Sequence, residues 1–214
     1  MVSEITRSWT GSSRTLTTHW GKMEFVEKDS SAILLALGAN LPSAAGAASQ
    51  TLVATLKALI AEGMKLEAVS RFYKTPAYPA GSGPDYVNAC AKVKSAQPPH
   101  SILAAFHRVE ARFGRVRETR WASRGCDIDL LAMDDMILPD VATQAKWRDL
   151  PLERQMQDAP DQLILPHPRM MERAFVLIPL FDIAPTYVDP VSGVAISDMI
   201  AALPFSEKDA IHPI

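Results

Sequence analysis

The order of hydrophobic patterns between residues 33 and 133 constrains the fold of this chain most. Apolar runs and alternating patterns predict four strands, at 33–37, 64–74, 86–94 and 126–133. Apolar residues at helical spacing predict two helices, at 48–62 and 100–113, and a third short helix at 169–180. The order strand-helix-strand-strand-helix-strand is typical of the ferredoxin-like split βαβ arrangement. We therefore expect an α+β sandwich in which an antiparallel-containing sheet carries its helices on one face.

Composition and charge argue against several classes of protein. Of 214 residues, 48% are hydrophobic, which is enough for a core without disulfide staples. The 22 Lys and Arg nearly balance the 24 Asp and Glu, unlike a nucleic-acid coat protein or an acidic disordered chain. The longest apolar stretch, at 32–37, is far too short to cross a bilayer. We expect Cys90 and Cys126 to be free thiols, so the sequence predicts a cytoplasmic protein without membrane contact.

The first thirty residues differ from the rest of the chain. Residues 1–30 are rich in Ser and Thr and show little apolar periodicity, which predicts a flexible N-terminal tail. An arm docked on the globular part is the alternative. We expect residues 31–214 to form a single domain, with a polar excursion from its core near 139–161.

An arginine-rich segment leads directly into a strand with two aspartates. Five arginines and one acidic residue between 112 and 124 give a local charge of +4, on a Gly- and Ser-containing loop suited to binding phosphates. Asp127 and Asp129 are two residues apart, so their side chains project to the same face of the strand. Paired carboxylates suit Mg²⁺, which takes further ligands from phosphates. A solvated basic loop and a wet edge strand are the alternatives, but the succession of both favours a site for Mg²⁺-bound nucleotide.

A second group of residues suits a flat heterocycle. Tyr86 and Asn88 share a strand face and combine an aromatic plane with a side-chain amide. A core tyrosine and a turn-associated asparagine are the alternative interpretation. Further along the chain, His167, Arg173 and Phe175 follow one another closely. Each of them, taken alone, could equally be a structural residue.

Four segments occur in a specific order: FYKTPAY at 72–78, PDYVNA at 84–89, GRVR-x-x-RW-x-x-R-x-x-DID at 114–129, and LPHPRMMERAFVLIPLFDIAP at 165–185. Together they closely resemble the 6-hydroxymethyl-7,8-dihydropterin pyrophosphokinases of folate biosynthesis, over about residues 33 to 185. The resemblance implies transfer of the terminal pyrophosphoryl group of ATP to the hydroxymethyl oxygen of the pterin, with release of AMP. It also implies a ferredoxin-like fold.

The same motif match implies a role for individual residues. Asp127 and Asp129 would hold two Mg²⁺ ions that bridge ATP and the attacking hydroxyl group. The expected catalytic residues are Arg115, Arg124, Asp127 and Asp129. The expected ATP contacts are Arg117, Arg120, Trp121, Leu130, His167 and Arg173. The expected pterin contacts are Thr75, Pro76, Tyr78, Asn88, and the two stacking residues Tyr86 and Phe175.

Two other functions fit parts of the pattern. RNA-recognition domains share the predicted topology, and the basic loop could contact a phosphate backbone, but a strand with paired carboxylates would repel RNA unless metal filled it. Another Mg²⁺-dependent phosphotransferase or nucleotidyltransferase would release ADP or pyrophosphate instead of AMP and a pterin diphosphate. We therefore expect a monomer that binds small-molecule substrates and no nucleic acid.

Overall fold

The computed structural model describes residues 30–77, 83–114, 125–151, 154 and 158–214, together with the backbone of three strands that precede residue 30. These three strands form a small antiparallel sheet of their own and are β1 (Arg7–Thr10), β2 (Ser13–Thr18) and β3 (Gly21–Val26). The Ser- and Thr-rich composition of this part of the chain had indicated no regular element. A flexible tail over residues 1–30 stays a prediction.

The main sheet has six strands, and every pairing in it is antiparallel. Its strands are β4 (Ser31–Ala39), β5 (Lys65–Val69), β6 (Tyr73–Thr75), β7 (Tyr86–Ser95), β8 (Asp127–Met133) and β9 (His212–Pro213). They run in the order β8-β4-β7-β6-β9, while β5 pairs with the far end of β7. This is the strand order of a ferredoxin-like sheet, extended by the C-terminal strand.

Six α-helices are present in the described part of the chain. They are α1 (Ala48–Ala61), α2 (Pro99–Arg112), α3 (Val141–Arg148), α4 (Ala174–Ile183), α5 (Ile196–Ala202) and α6 (Phe205–Asp209). Pro99 begins α2 where a missing N–H costs nothing, and Gly63, at φ +91°, allows the chain to turn after α1. None of the helices within the described residues is long and apolar enough to span a membrane.

Helices cover the main sheet on both sides. We call the side packed under α1 and α2 the first face, and its strand residues include Leu35, Leu37, Ala89, Ala91, Ile128 and Leu130. The opposite side, the second face, includes Leu34, Cys90 and Leu131 under α4 and α5. The ferredoxin-like α+β fold is confirmed, but the expectation of helices on one face is wrong. Successive apolar residues such as Leu34 and Leu35 point to opposite faces, and both faces then require cover.

The structure changes other predicted elements as well, and the helix expected at 169–180 is α4 at Ala174–Ile183. The strand expected at 64–74 is split into β5 and β6 at Ser70, whose side chain competes with the backbone for hydrogen bonds. The Ser70 hydroxyl accepts from the amide of Cys90 at 2.9 Å and donates to the carbonyl of Arg71 at 2.6 Å. The polar excursion contains helix α3, which begins where the Asp140 carboxylate accepts from the amide of Thr143.

Candidate active site

One of the two predicted carboxylates lies in a row with the predicted amide across three strands. Asp127 of β8 pairs with Gly38 of β4, and Gly38 pairs with Asn88 of β7. Directly paired residues point to the same face, and two strand spacings place Asp127 and Asn88 about 10 Å apart. A Cβ on Gly38 would lie 2.9 Å from Asn88 Oδ1, so only glycine leaves room for the amide here. The row therefore brings a carboxylate and a buried amide to opposite sides of a shallow gap.

Successive side chains of β8 point to opposite faces of the sheet, so apolar and acidic residues are separated. Ile128 and Leu130 are buried in the first face, whereas Asp127 and Asp129 are half-buried on the second. Asp129 pairs with Ala36 of β4, so the neighbour of each carboxylate on that strand is a small residue. The side chain of Leu130 thus lies on the opposite side from the carboxylates, and any nucleotide contact that it makes would come from its main chain.

A buried glutamate holds the strand between the two aspartates. Glu110 of α2 is 1% exposed, and its Oε1 accepts a hydrogen bond of 2.9 Å from the amide of Ile128. The bond fixes the backbone between Asp127 and Asp129 from the side of β8 that does not pair with β4. Glu110 is not among the site residues predicted from the sequence. Its place next to Val109, on the apolar side of the predicted helix, indicated burial but not the group that it would contact.

His167 lies beside this strand as a neutral hydrogen-bond donor. Its backbone amide donates to the carbonyl of Leu131 at 2.7 Å, and its ring Nδ1 accepts from the amide of Arg169 at 3.2 Å. An amide can only donate, so the ring proton resides on Nε2. Burial lowers the pKa of His167 to about 4, with Arg173 and Arg169 adding to the effect and Asp129 opposing it. The ring is therefore neutral at pH 7 and offers an Nε2–H donor.

Arg173 connects the aspartates to helix α4. Its guanidinium lies 3.3 Å from Oδ2 of Asp129 and 5.7 Å from the ring centre of Phe175. Burial lowers the pKa of Arg173, while the charge of Asp129 opposes that shift. Phe175 is in the first turn of α4 and is 40% exposed, so its ring is available to a ligand.

The residues predicted to bind the heterocycle are grouped at the start of β7 and the end of β6. Asn88 Nδ2 donates to the hydroxyl of Thr75 at 2.6 Å, and both side chains are buried. Pro76 is exposed directly after Thr75, and Tyr86 is half-buried at the start of β7. The structure thus brings four of the expected pterin contacts to one end of two paired strands.

The other expected residues lie outside the described part of the chain. They are Tyr78, Arg115, Arg117, Arg120, Trp121 and Arg124. Among the residues that the structure does describe, no group of three or more His, Cys, Asp and Glu side chains converges to hold a metal. Asp127 and Asp129 nevertheless fit Mg²⁺, which proteins bind through one or two carboxylates while substrate phosphates and water complete its shell.

An acidic pair that can hold Mg²⁺ beside buried and half-buried polar side chains fits an enzyme that transfers phosphate groups, because such reactions need a metal ion to neutralise phosphate charge. Over residues 34–185 the chain matches the family model described as 7,8-dihydro-6-hydroxymethylpterin-pyrophosphokinase (HPPK), and it belongs to that family. The family match confirms the recognition made from the sequence and the predicted reaction class, a pyrophosphokinase of folate biosynthesis.

Curated relatives support the same assignment. The chain is 35% identical to 2-amino-4-hydroxy-6-hydroxymethyldihydropteridine pyrophosphokinase of Synechocystis sp. over 67% of this chain and 62% of that protein. It is 32% identical to the protein of the same name from Methylorubrum extorquens, over 79% of this chain and 91% of the relative. The Haemophilus influenzae protein of that name is 33% identical, over 75% and 86%.

Solved structures share the fold. Wild-type HPPK-DHPS of Plasmodium falciparum superposes with a TM-score of 0.56 at 16% identity, over 82% of this chain and 45% of that chain. The same protein with pteroate gives 0.56 at 16% identity, over 82% and 44%. This chain therefore spans less than half the length of these structures, and at this identity the likeness concerns the fold alone.

Proposed function

We propose that the second face, where it carries Asp127, Asp129 and Asn88, is the active centre of this pyrophosphokinase. There the chain transfers the pyrophosphoryl group of ATP to the hydroxymethyl oxygen of 6-hydroxymethyl-7,8-dihydropterin and releases AMP. The observation that carries the proposal is the row Asp127–Gly38–Asn88, which joins a carboxylate to a buried amide across one small residue. Membership of the family supports it independently.

The nucleotide binds on the β8 side of this row. Asp127 and Asp129 would hold two Mg²⁺ ions, and bound Mg²⁺ supplies charge neutralisation for the triphosphate and the transferred group. His167 donates from Nε2 to a phosphate oxygen, which its neutral ring and acceptor Nδ1 support. Arg173, already directed at Asp129, adds a guanidinium to the same phosphates.

The pterin binds on the β6 and β7 side. Asn88 uses Nδ2 to bond Thr75, so Oδ1 over Gly38 is the atom that accepts from a ring N–H of the pterin. Tyr86 and Phe175 stack on the two faces of the ring, and Pro76 completes the wall. Holding both substrates on one rigid sheet brings the hydroxymethyl oxygen within about 3–3.5 Å of phosphorus, the geometry of in-line attack.

The arginine-rich loop supplies the remaining groups. Arg115 and Arg124 act as catalytic arginines, and the further contacts are Arg117, Arg120 and Trp121 with ATP and Tyr78 with the pterin. This part of the proposal is based on the motif match alone. The charge that develops on the phosphate oxygens is what such arginines stabilise in phosphoryl transfer.

Product identification tests the proposed function. The protein is incubated with ATP, MgCl₂ and the reduced hydroxymethylpterin, and mass spectrometry of the mixture should reveal AMP and the pterin diphosphate. Chelation of Mg²⁺ with excess EDTA should stop the reaction, and added Mg²⁺ should restore it. Formation of ADP or free pyrophosphate would contradict the proposed transfer, and turnover in EDTA would contradict the metal dependence.

We also propose that residues 31–214 work as a single monomeric domain in the cytoplasm, with no nucleic-acid partner. The buried free thiols Cys90 and Cys126 support a reducing compartment. Light scattering during size-exclusion chromatography should give the mass of one chain. A stable dimer, or retention on RNA at physiological salt, would contradict this part.

A further inference from the structure

Helix α3 of the polar excursion is hydrogen-bonded to the segment that carries His167. At the base of the excursion, Leu138 and Leu165 exchange two backbone hydrogen bonds of 2.9 and 3.1 Å. Gln144 of α3 is only 1% exposed, and its Nε2 donates to the carbonyl of Pro166 at 3.1 Å. The helix thus reaches the residue directly before His167.

Two elements hold a single peptide group from opposite sides. The Pro166 carbonyl and the His167 amide belong to the same planar peptide unit, so they move together. Gln144 holds the carbonyl end, and Leu131 of β8 accepts from the amide end at 2.7 Å. With both ends held, the plane cannot rotate, and the direction in which the His167 side chain leaves the backbone is fixed.

Gln144 is an unusual residue for a purely packing role. Its Oε1 is buried and has no hydrogen-bond partner among the residues that the structure describes. A buried amide oxygen without a partner costs free energy, which a leucine or methionine of similar volume would avoid. The hydrogen bond from Nε2 to Pro166 is the contact that an apolar residue could not provide.

We propose that Gln144 is a positioning residue for the nucleotide side of the active centre. It orients the Pro166–His167 peptide, and through it aims the Nε2–H of His167 at the phosphates of ATP. The inference deepens the proposed function and depends on the assignment of His167 to the nucleotide. It gives the excursion at 139–161 a task in the reaction.

The test compares Gln144→Met with Gln162→Met, a change at an exposed glutamine directly after the excursion. Gln144→Met should raise KM for ATP about tenfold, leave KM for the pterin unchanged, and shift the NMR resonances of the His167 ring. Gln162→Met should change none of them. His167→Ala should raise KM for ATP as well, and the double variant should add little, because both changes remove the same contact.

The possible results distinguish the role of Gln144, the nucleotide role of His167 and the proposed function. If His167→Ala raises KM for ATP while Gln144→Met only lowers Tm, Gln144 is structural and the inference is wrong. If His167→Ala leaves KM for ATP unchanged, the nucleotide role of His167 and this inference fail together. Absence of AMP with the wild-type protein would instead overturn the proposed function. Should the methionine variant not fold, Gln144→Asn, whose amide is one methylene short of Pro166, replaces it.

Discussion

The two faces of the main sheet are made by the same strands but differ in chemistry. The first face is apolar across its centre and is closed by α1 and α2. The second face is apolar under α4 and α5 but ends in Asp127, Asp129 and Asn88. In the proposed active centre, alternate residues of one strand would therefore serve stability and activity. On β8, Ile128 anchors the backbone from which its two acidic neighbours project.

The largest effect is expected at the polar end of the second face. Asp127→Ala should lower kcat/KM by a factor on the order of a hundred to a thousand or more. The Mg²⁺ that neutralises the triphosphate would lose one of its carboxylate ligands. The free energy of unfolding should change by less than about 1 kcal/mol, because the residue is half-buried at the end of a strand. Steady-state kinetics and urea denaturation measure the two quantities.

Asp135→Ala provides the matched control, because Asp135 is an exposed acidic residue just beyond the other end of β8. It should leave kcat/KM unchanged. Near-normal turnover of Asp127→Ala, or an equal loss in the control, would show that activity is not concentrated at the polar end of the second face.

On the first face we expect a large loss of stability and little change in activity. Leu35 is fully buried in β4 among the residues of the first core. Leu35→Ala should lower the free energy of unfolding by about 2–5 kcal/mol, through lost apolar burial and the cavity left behind. Well below the lowered Tm, KM for both substrates should remain that of the wild type. A selective change in either KM would mean that the two faces are not independent.

Local patterns predicted most of the first face and the strand order. Leucines at helical spacing located α1, and the apolar run at 33–37 located the centre of β4, because these patterns depend on near neighbours. The cover of the second face by α4 and α5 was not foreseen. An unbroken apolar run indicates a strand buried on both faces, but it does not reveal which distant segment covers the second one.

In the site, too, features that depend on near neighbours were predicted, and features that depend on distant partners were not. The common direction of Asp127 and Asp129 followed from the period of a strand. Glu110 and Gln144 escaped notice because their partners, Ile128 and Pro166, are 18 and 22 residues away. Nothing in the local sequence of a helix indicates that its one buried polar side chain will hold the backbone of another element.

Glu110 connects the two faces, and a smaller effect is expected there. Glu110→Ala leaves the amide of Ile128 unbonded, which should cost about 1–3 kcal/mol of unfolding free energy and also reduce kcat by loosening both aspartates. Glu110→Gln keeps an oxygen acceptor and should recover most of both quantities. If the glutamine variant is as impaired as the alanine variant, the charge of Glu110 matters more than its hydrogen bond.

The smallest effect is expected where helix α4 contributes to the site, and α4 contains its own control. Phe175 and Phe181 are 40% and 42% exposed on this helix, so replacing either with Ala removes a similar exposed ring. Phe175→Ala should weaken pterin binding by about 0.5–1.5 kcal/mol from lost stacking, beyond the loss of buried area, and spare ATP. Phe181→Ala should leave both affinities unchanged. Isothermal titration with each substrate measures them, and equal losses of ATP and pterin affinity in Phe175→Ala would mean that the ring supports Arg173 and Asp129 rather than the pterin.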